Sequence, residues 1–406
     1  MRRLLTLKRF WFALLSITLL SLLVSCSGVR LLIQQASLNP KAPPDLPALR
    51  SSAEMLQDLE NNIYGKVPTL ADATILSKRV IARDAFTKGD IVTEWKVEAG
   101  FGAAQKVFHI VFVRRKEFLD DPMIITQNFC PNTAVVPIEG VTAPTGAFFD
   151  CSKGGIMDNV FSFFFGRYIT APPYEMILRN GYGLAVIFPP EFIPDSAEKA
   201  PAIMDDLFPS RVENQPGVLA AWSSLSVWLA ETLKVDGEIE TAITYGHSRY
   251  GKTALISAAM SPSIDAVIAH QSGTGGASLL RDDTGESIAQ VMENYPHWFT
   301  SNFASFADEK EALPADSHFL LSLIAPRPLL LGNARRDVWS DPAGAFNAAR
   351  AASQSWASFG SQGLTASRLN DFRPQDDIAF WMRPGTHGVV EEDWPAFLEF
   401  LDAHFK

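Results

Sequence analysis

The chain of 406 residues carries 45 acidic against 35 basic side chains, a formal net charge of −10, and is 47% hydrophobic and 20% charged. That composition excludes a disordered chain, and the acidic balance excludes a partner held by cationic charge, such as nucleic acid or an anionic membrane surface. Three cysteines are too few for a disulfide-built scaffold, and the length allows one large domain or two modest ones, each with a full core.

Arg2, Arg3, Lys8 and Arg9 precede an apolar run from Phe10 to Leu23. A charged start before an apolar stretch too short to span a bilayer comfortably reads as a secretory signal over residues 1–25. It ends Leu23-Val24-Ser25-Cys26, which resembles the bacterial lipobox. The resemblance implies that Cys26 is lipidated, becomes the first residue and anchors an otherwise soluble domain to a membrane. An uncleaved anchor or an ordinary signal peptide is the alternative. Ser27 stands where an aspartate would favour the inner membrane, so by resemblance to Gram-negative sorting the outer membrane is expected. Residues 26–50 read as a tether, and residues 51–406 as the folded domain. Cys130 and Cys151 would meet an oxidising compartment, so a disulfide and a pair of buried thiols both stay open. No Cys/His spacing suggests zinc, and no metal or organic cofactor is expected.

No internal repeat interrupts the domain. Short apolar runs alternate with amphipathic ones, which suggests an α/β sheet. The strands expected in chain order are Thr93–Glu98, Lys106–Arg114, Met123–Asn128, Gly183–Phe188, Glu240–Tyr245, Ala266–His270, Leu329–Asn333 and Ile378–Met382. The first two alternate as an antiparallel pair would. The later ones are near-continuous apolar runs, as in parallel strands buried on both faces. Helices are expected over Gly217–Leu233, Arg249–Met260, Pro342–Gly360 and Glu392–His404. An antiparallel start followed by parallel strands with crossover helices is the order of an α/β-hydrolase, a three-layer sandwich around a mostly parallel sheet. Residues 131–180, rich in Phe and Gly, do not fit a crossover and read as an insertion near the top of the sheet.

The most informative segment is Ile243-Thr244-Tyr245-Gly246-His247-Ser248-Arg249-Tyr250-Gly251-Lys252. A strand ends, Ser248 sits on the turn and a helix follows. Such an elbow exposes the serine oxygen and places backbone N–H groups where an oxyanion can be held. The second glycine of the common pattern is displaced by one, to Gly251, with Tyr250 in its usual place.

These residues resemble the glucuronoyl esterases, carbohydrate esterase family 15, in which the displaced glycine is normal. The likeness continues in Ser272-Gly273-Thr274-Gly275-Gly276-Ala277, Tyr295-Pro296-His297-Trp298-Phe299, Leu323-Ile324-Ala325-Pro326-Arg327-Pro328 and the opening Leu59-Glu60-x-x-Ile63-Tyr64-Gly65-Lys66-Val67-Pro68. It covers roughly residue 51 to the C-terminus.

Ser248 needs a base. His387 lies on a glycine-flanked loop after the last strand and before the terminal helix, which suits that role. His247 should point to the far side of the elbow, His109 reads as structural, and His270, His297 and His318 are weaker rivals. Asp337 follows the strand Leu329–Asn333 and completes the order Ser…Asp…His. Asp341, next to Pro342, is the rival acid, although that place suits a helix N-cap. Many family members carry a glutamate where this chain has Gln271, and a glutamine supplies no charge. The resemblance implies that the Arg249 guanidinium reaches the oxyanion and that Lys252 and Trp339 hold the sugar; Glu286 lies where bacterial members have a glutamate on the substrate. Two cations at a helix N-terminus oppose its dipole, which favours a functional role for Arg249 and Lys252. His297 and Trp298 read as packing residues. The implied substrate is a glucuronate-containing carbohydrate ester, cleaved at C6. A carbohydrate acetyl esterase, a general carboxylesterase and a non-catalytic carbohydrate-binding lipoprotein are the alternatives.

Overall fold

The computed structural model describes residues 34–116, 121–146, 151, 165–208, 215–282 and 284–406. The expected signal segment and Cys26 lie outside these residues, as do residues 147–150 and 152–164 of the 131–180 insertion. Nine strands form one sheet: β1 (Ala71–Arg83), β2 (Asp90–Gly100), β3 (Gln105–Arg115), β4 (Met123–Gln127), β5 (Gly183–Ile187), β6 (Ala242–His247), β7 (Ala266–His270), β8 (Leu329–Ala334) and β9 (Ile378–Arg383). Their spatial order is β1-β2-β3-β5-β4-β6-β7-β8-β9. The pairs β1/β2, β2/β3 and β3/β5 are antiparallel, and every pair from β5/β4 onward is parallel. This is the α/β-hydrolase sheet, antiparallel at its N-terminal edge.

Every strand expected from the sequence is present. β1 was not expected. It is an edge strand whose residues are mostly half-buried or exposed, so it lacks the apolar runs that marked the others. Strand alternation separates two cores. Met123, Ile125, Leu329 and Leu331 face one core, against the helices α1 (Val218–Val235), α2 (Arg249–Met260) and α3 (Pro342–Ala357). Ile124, Ile243, Tyr245 and Leu330 face the other, against α4 (Asp393–Phe405). The period of two along each strand sends neighbouring side chains to opposite layers.

The segment read as a tether lies along the body from Gln34 onward. Ala36 N–H donates to the Arg335 carbonyl at 2.7 Å, Leu369 N–H to that of Leu38 at 3.1 Å, and Asn347 Nδ2 to that of Lys41 at 3.1 Å. Cys130 and Cys151 form a disulfide with Cα atoms 5.7 Å apart. It ties the insertion to the end of β4. The C-terminal part of the insertion pairs with the loop that bears His387: Val389 N–H donates to the Phe165 carbonyl at 2.7 Å, and Tyr168 N–H to that of Val389 at 3.0 Å. Among the described residues no helix is long and apolar enough to cross a membrane.

Candidate active site

Ser248 sits between β6 and α2 with φ 57° and ψ −124°. A non-glycine residue in that region is strained, and the strain presents the side chain above the sheet. The chain turns so sharply that a Cβ at Gly246 would collide with the Tyr250 carbonyl. The displaced second glycine has a packing cause. Position 250 is filled by a buried tyrosine whose ring lies 4.9 Å from Phe129 and 5.6 Å from Trp222. Position 251 faces the β7 exit instead, where an added Cβ would come within 3.0 Å of Ser272. Arg249 opens α2, so its N–H has no acceptor within the helix.

Ser248, Asp337 and His387 line one cavity of about 460 Å³, and Arg249, Lys252, Glu286 and Trp339 line it too. His387 Nδ1 donates to Asp337 Oδ2 at 2.8 Å, and Ser340 Oγ lies 3.4 Å from the same nitrogen. Asp337 is 4% exposed. Burial pushes its carboxyl up, but the charge and hydrogen bond of His387 and the bonds from Ser340 hold it below the usual value. Asp341 does different work. It has φ 44° and accepts the Gly344 N–H at 3.0 Å, capping α3; burial raises its pKa to about 6.

The other histidines are placed elsewhere. His247 and His270 are buried under the elbow with their Nδ1 atoms 3.2 Å apart, and the His247 ring lies 4.5 Å from that of His387. Burial, then the neighbouring cationic centres, hold His247 well below its normal pKa. His109 binds Glu191, His318 binds the Pro47 carbonyl and His404 the Asp376 carbonyl.

The cationic side of the cavity is organised around Asp195, a residue without a local sequence motif. Asp195, in the loop after β5, pairs with the Arg249 guanidinium. Its other oxygen accepts from His297 Nε2 at 2.9 Å and Trp298 Nε1 at 2.8 Å. Burial raises the Asp195 pKa, yet these donors and the Arg249 charge bring it below the usual value. Arg249 is also framed by the rings of Trp298 at 4.9 Å and of Phe129 and Tyr295 at 5.4 Å each. His297 and Trp298, expected as packing residues, therefore anchor the carboxylate that orients Arg249, and Trp298 lines the cavity.

Lys252 Nζ donates to the Ser272 carbonyl. Burial lowers its pKa from 10.5 to about 8, against the upward pull of Glu286. Glu286 is shifted up by burial, with Lys252 the main opposing charge. Its N–H donates to the Trp339 carbonyl at 3.0 Å, which joins the loops that carry these two residues. Trp339 is 47% exposed at the rim. Among the described residues no cluster of His, Cys, Asp and Glu is placed to hold a metal ion.

The family model described as "Glucuronyl esterase, fungi" matches residues 205–360. A carbohydrate esterase from an unknown prokaryotic organism is 29% identical over 366 residues, 86% of this chain and 83% of the relative. Two solved structures are each 26% identical and cover 90% of this chain: a promiscuous family 15 esterase from a marine bacterial metagenome, with a TM-score of 0.76 over 98% of that chain, and a glucuronoyl esterase from Solibacter usitatus, with 0.74 over all of it. The chain is similar to the esterases of carbohydrate esterase family 15 over about nine tenths of its length. Asp195 carried no local sequence signal, because it lies in a different loop and meets Arg249 only through the fold. Gln271, noted in the sequence only for the charge it lacks, accepts the Gly388 N–H and donates to the Thr386 carbonyl.

Proposed function

We propose that this chain is a serine ester hydrolase that cleaves the C6 ester of a (4-O-methyl-)glucuronate through an acyl-enzyme. The observation that carries this reading is the His387–Asp337 hydrogen bond of 2.8 Å in the cavity that Ser248 shares with the buried ammonium of Lys252. With Nδ1 committed to Asp337, the lone pair of His387 is on Nε2. Nε2 takes the Ser248 proton as Oγ attacks the ester carbonyl. The Arg249 guanidinium and the N–H groups at the start of α2 hold the oxyanion. The C–O bond to the alcohol breaks, and the alcohol leaves with the proton from Nε2. Water, deprotonated by the same nitrogen, then releases the acid and regenerates Ser248.

Lys252, Glu286 and Trp339 form the sugar pocket. A charged donor, a carboxylate and an indole face together suit the hydroxyls and ring of a pyranose. Hydrolysis of methyl or benzyl glucuronate beside an acetylated sugar and a simple aryl acetate tests the assignment. Clear preference for the glucuronate esters is expected; equal turnover of all three would replace it with a general carboxylesterase, a reading favoured by the promiscuous relative.

The proposal extends to location. The resemblance of Leu23-Val24-Ser25-Cys26 to a lipobox supports an exported lipoprotein held in the outer membrane by its lipid chains, and the Cys130–Cys151 disulfide accords with an oxidising compartment.

A further inference from the structure

The loop that bears His387 runs Pro384-Gly385-Thr386-His387-Gly388, and glycine on either side leaves its backbone permissive. Contacts from outside must therefore fix the imidazole. On one side Arg383 does so: its Nη2 donates to the Thr386 carbonyl at 3.2 Å and to the Gly388 carbonyl at 2.6 Å, while Nε pairs with Asp393 at 3.0 Å. On the other side stands Gln271, 1% exposed, with φ 49° and its N–H on the Gly332 carbonyl at 2.7 Å. Its Oε1 accepts the Gly388 N–H at 2.9 Å, and its Nε2 donates to the Thr386 carbonyl at 3.2 Å. The reverse amide orientation would set donor against donor at Gly388, so the bonding pattern fixes which way the group points.

We infer that Gln271 is a positioning residue of this site: its amide clamps the two peptide groups on either side of His387 and so sets the imidazole between Asp337 and Ser248. The inference rests on the reading of His387 as the base. It also explains why an uncharged residue stands here. In this chain, where Asp337 already pairs with His387, the amide donates and accepts at once, and a carboxylate would only accept. A glutamate would keep the Gly388 bond, turn a second acceptor toward the Thr386 carbonyl, and bring negative charge near the imidazole.

The test uses Gln271→Ala and the near-isosteric Gln271→Glu, each alone and with Asp337→Asn, assayed on methyl glucuronate across the neutral pH range. Gln271→Ala is expected to lower kcat on the order of 10- to 100-fold with KM within about threefold, since a misplacement of about 1 Å costs on that scale. In Gln271→Glu, which keeps the shape, a lower kcat is expected together with an acid limb moved to higher pH, because an added negative charge favours the imidazolium. Both losses should shrink in the Asp337→Asn background, because the two residues act through one imidazole. A wild-type kcat in Gln271→Ala overturns the inference. So does a loss carried wholly by KM, which would make Gln271 a substrate contact, or a loss that multiplies in full with that of Asp337→Asn. His387→Ala separates the two readings: an inactive His387→Ala beside an unimpaired Gln271→Ala refutes the clamp alone, whereas an active His387→Ala refutes the base and the clamp together.

Discussion

Lys252 holds an ammonium at a place that costs the fold stability. It is 5% exposed, at the positive end of α2 and beside Arg249. Burial first, and Arg249 with it, bring its pKa from 10.5 to about 8 in spite of Glu286 and Asp337. A displacement of that size corresponds to about 3 kcal/mol of stability lost at neutral pH. Lys252→Met keeps much of the stem and removes the charge. It forfeits the bond to the Ser272 carbonyl, about 1 kcal/mol, and removes the main charge opposing the upward shift of Glu286. The net expectation is a gain of about 1–2 kcal/mol at neutral pH. The gain has a definite pH dependence. Below the folded value of about 8 the lysine is protonated in both states and the penalty is complete; between 8 and 10.5 only the unfolded chain holds the proton, so wild-type stability rises and the gap closes. Urea denaturation of both proteins at neutral pH and above pH 8 reads this directly. The same variant should lose about 10- to 150-fold in kcat/KM on benzyl glucuronate, the range for a buried charged hydrogen bond, and change little on an aryl acetate. A variant less stable at neutral pH, or a gap unchanged at high pH, would refute the electrostatic argument. Equal losses on both substrates would refute the sugar pocket.

Asp337→Asn should lower kcat on the order of 10²–10⁴-fold by favouring the wrong imidazole tautomer, whereas Asp341→Asn should leave kcat within a few-fold. Because burial raises the Asp341 pKa to about 6, the neutral asparagine should also match or exceed wild-type melting temperature at pH 7, and a clear drop would contradict that. Asp195→Ala frees Arg249 and strands the His297 and Trp298 donors; kcat should fall on the order of 10²-fold, near the loss of one oxyanion donor, and a wild-type kcat would remove Arg249 from the oxyanion role. Cys26→Ala should leave the precursor unprocessed or release the protein from the detergent phase of a membrane extract, and a wild type that is soluble and fully processed would refute the lipid anchor.

The sequence alone carried the parallel core of the sheet, because buried strands are written as continuous apolar runs. It carried the elbow as well, since a strand, a small residue, a serine and a helix start within one short segment are dictated by local sterics. Chain order placed Asp337 and His387 at the ends of successive strands. β1 escaped because an exposed edge strand needs no apolar signature. The choice between Asp337 and Asp341 was open in the sequence: both follow β8, and only the turn of residues 338–340 aims the first at His387 and the second at the α3 amides. The pairing of Cys130 with Cys151 was open in the same way. Asp195 and Gln271 were written nowhere in local pattern. Their partners, Arg249 in one case and Thr386 with Gly388 in the other, lie far away in sequence, and a hydrogen bond between distant segments leaves no period or spacing behind. Local chemistry thus determines the elements and the elbow serine, whereas the groups that orient His387 and Arg249 are decided by which loops the sheet brings side by side.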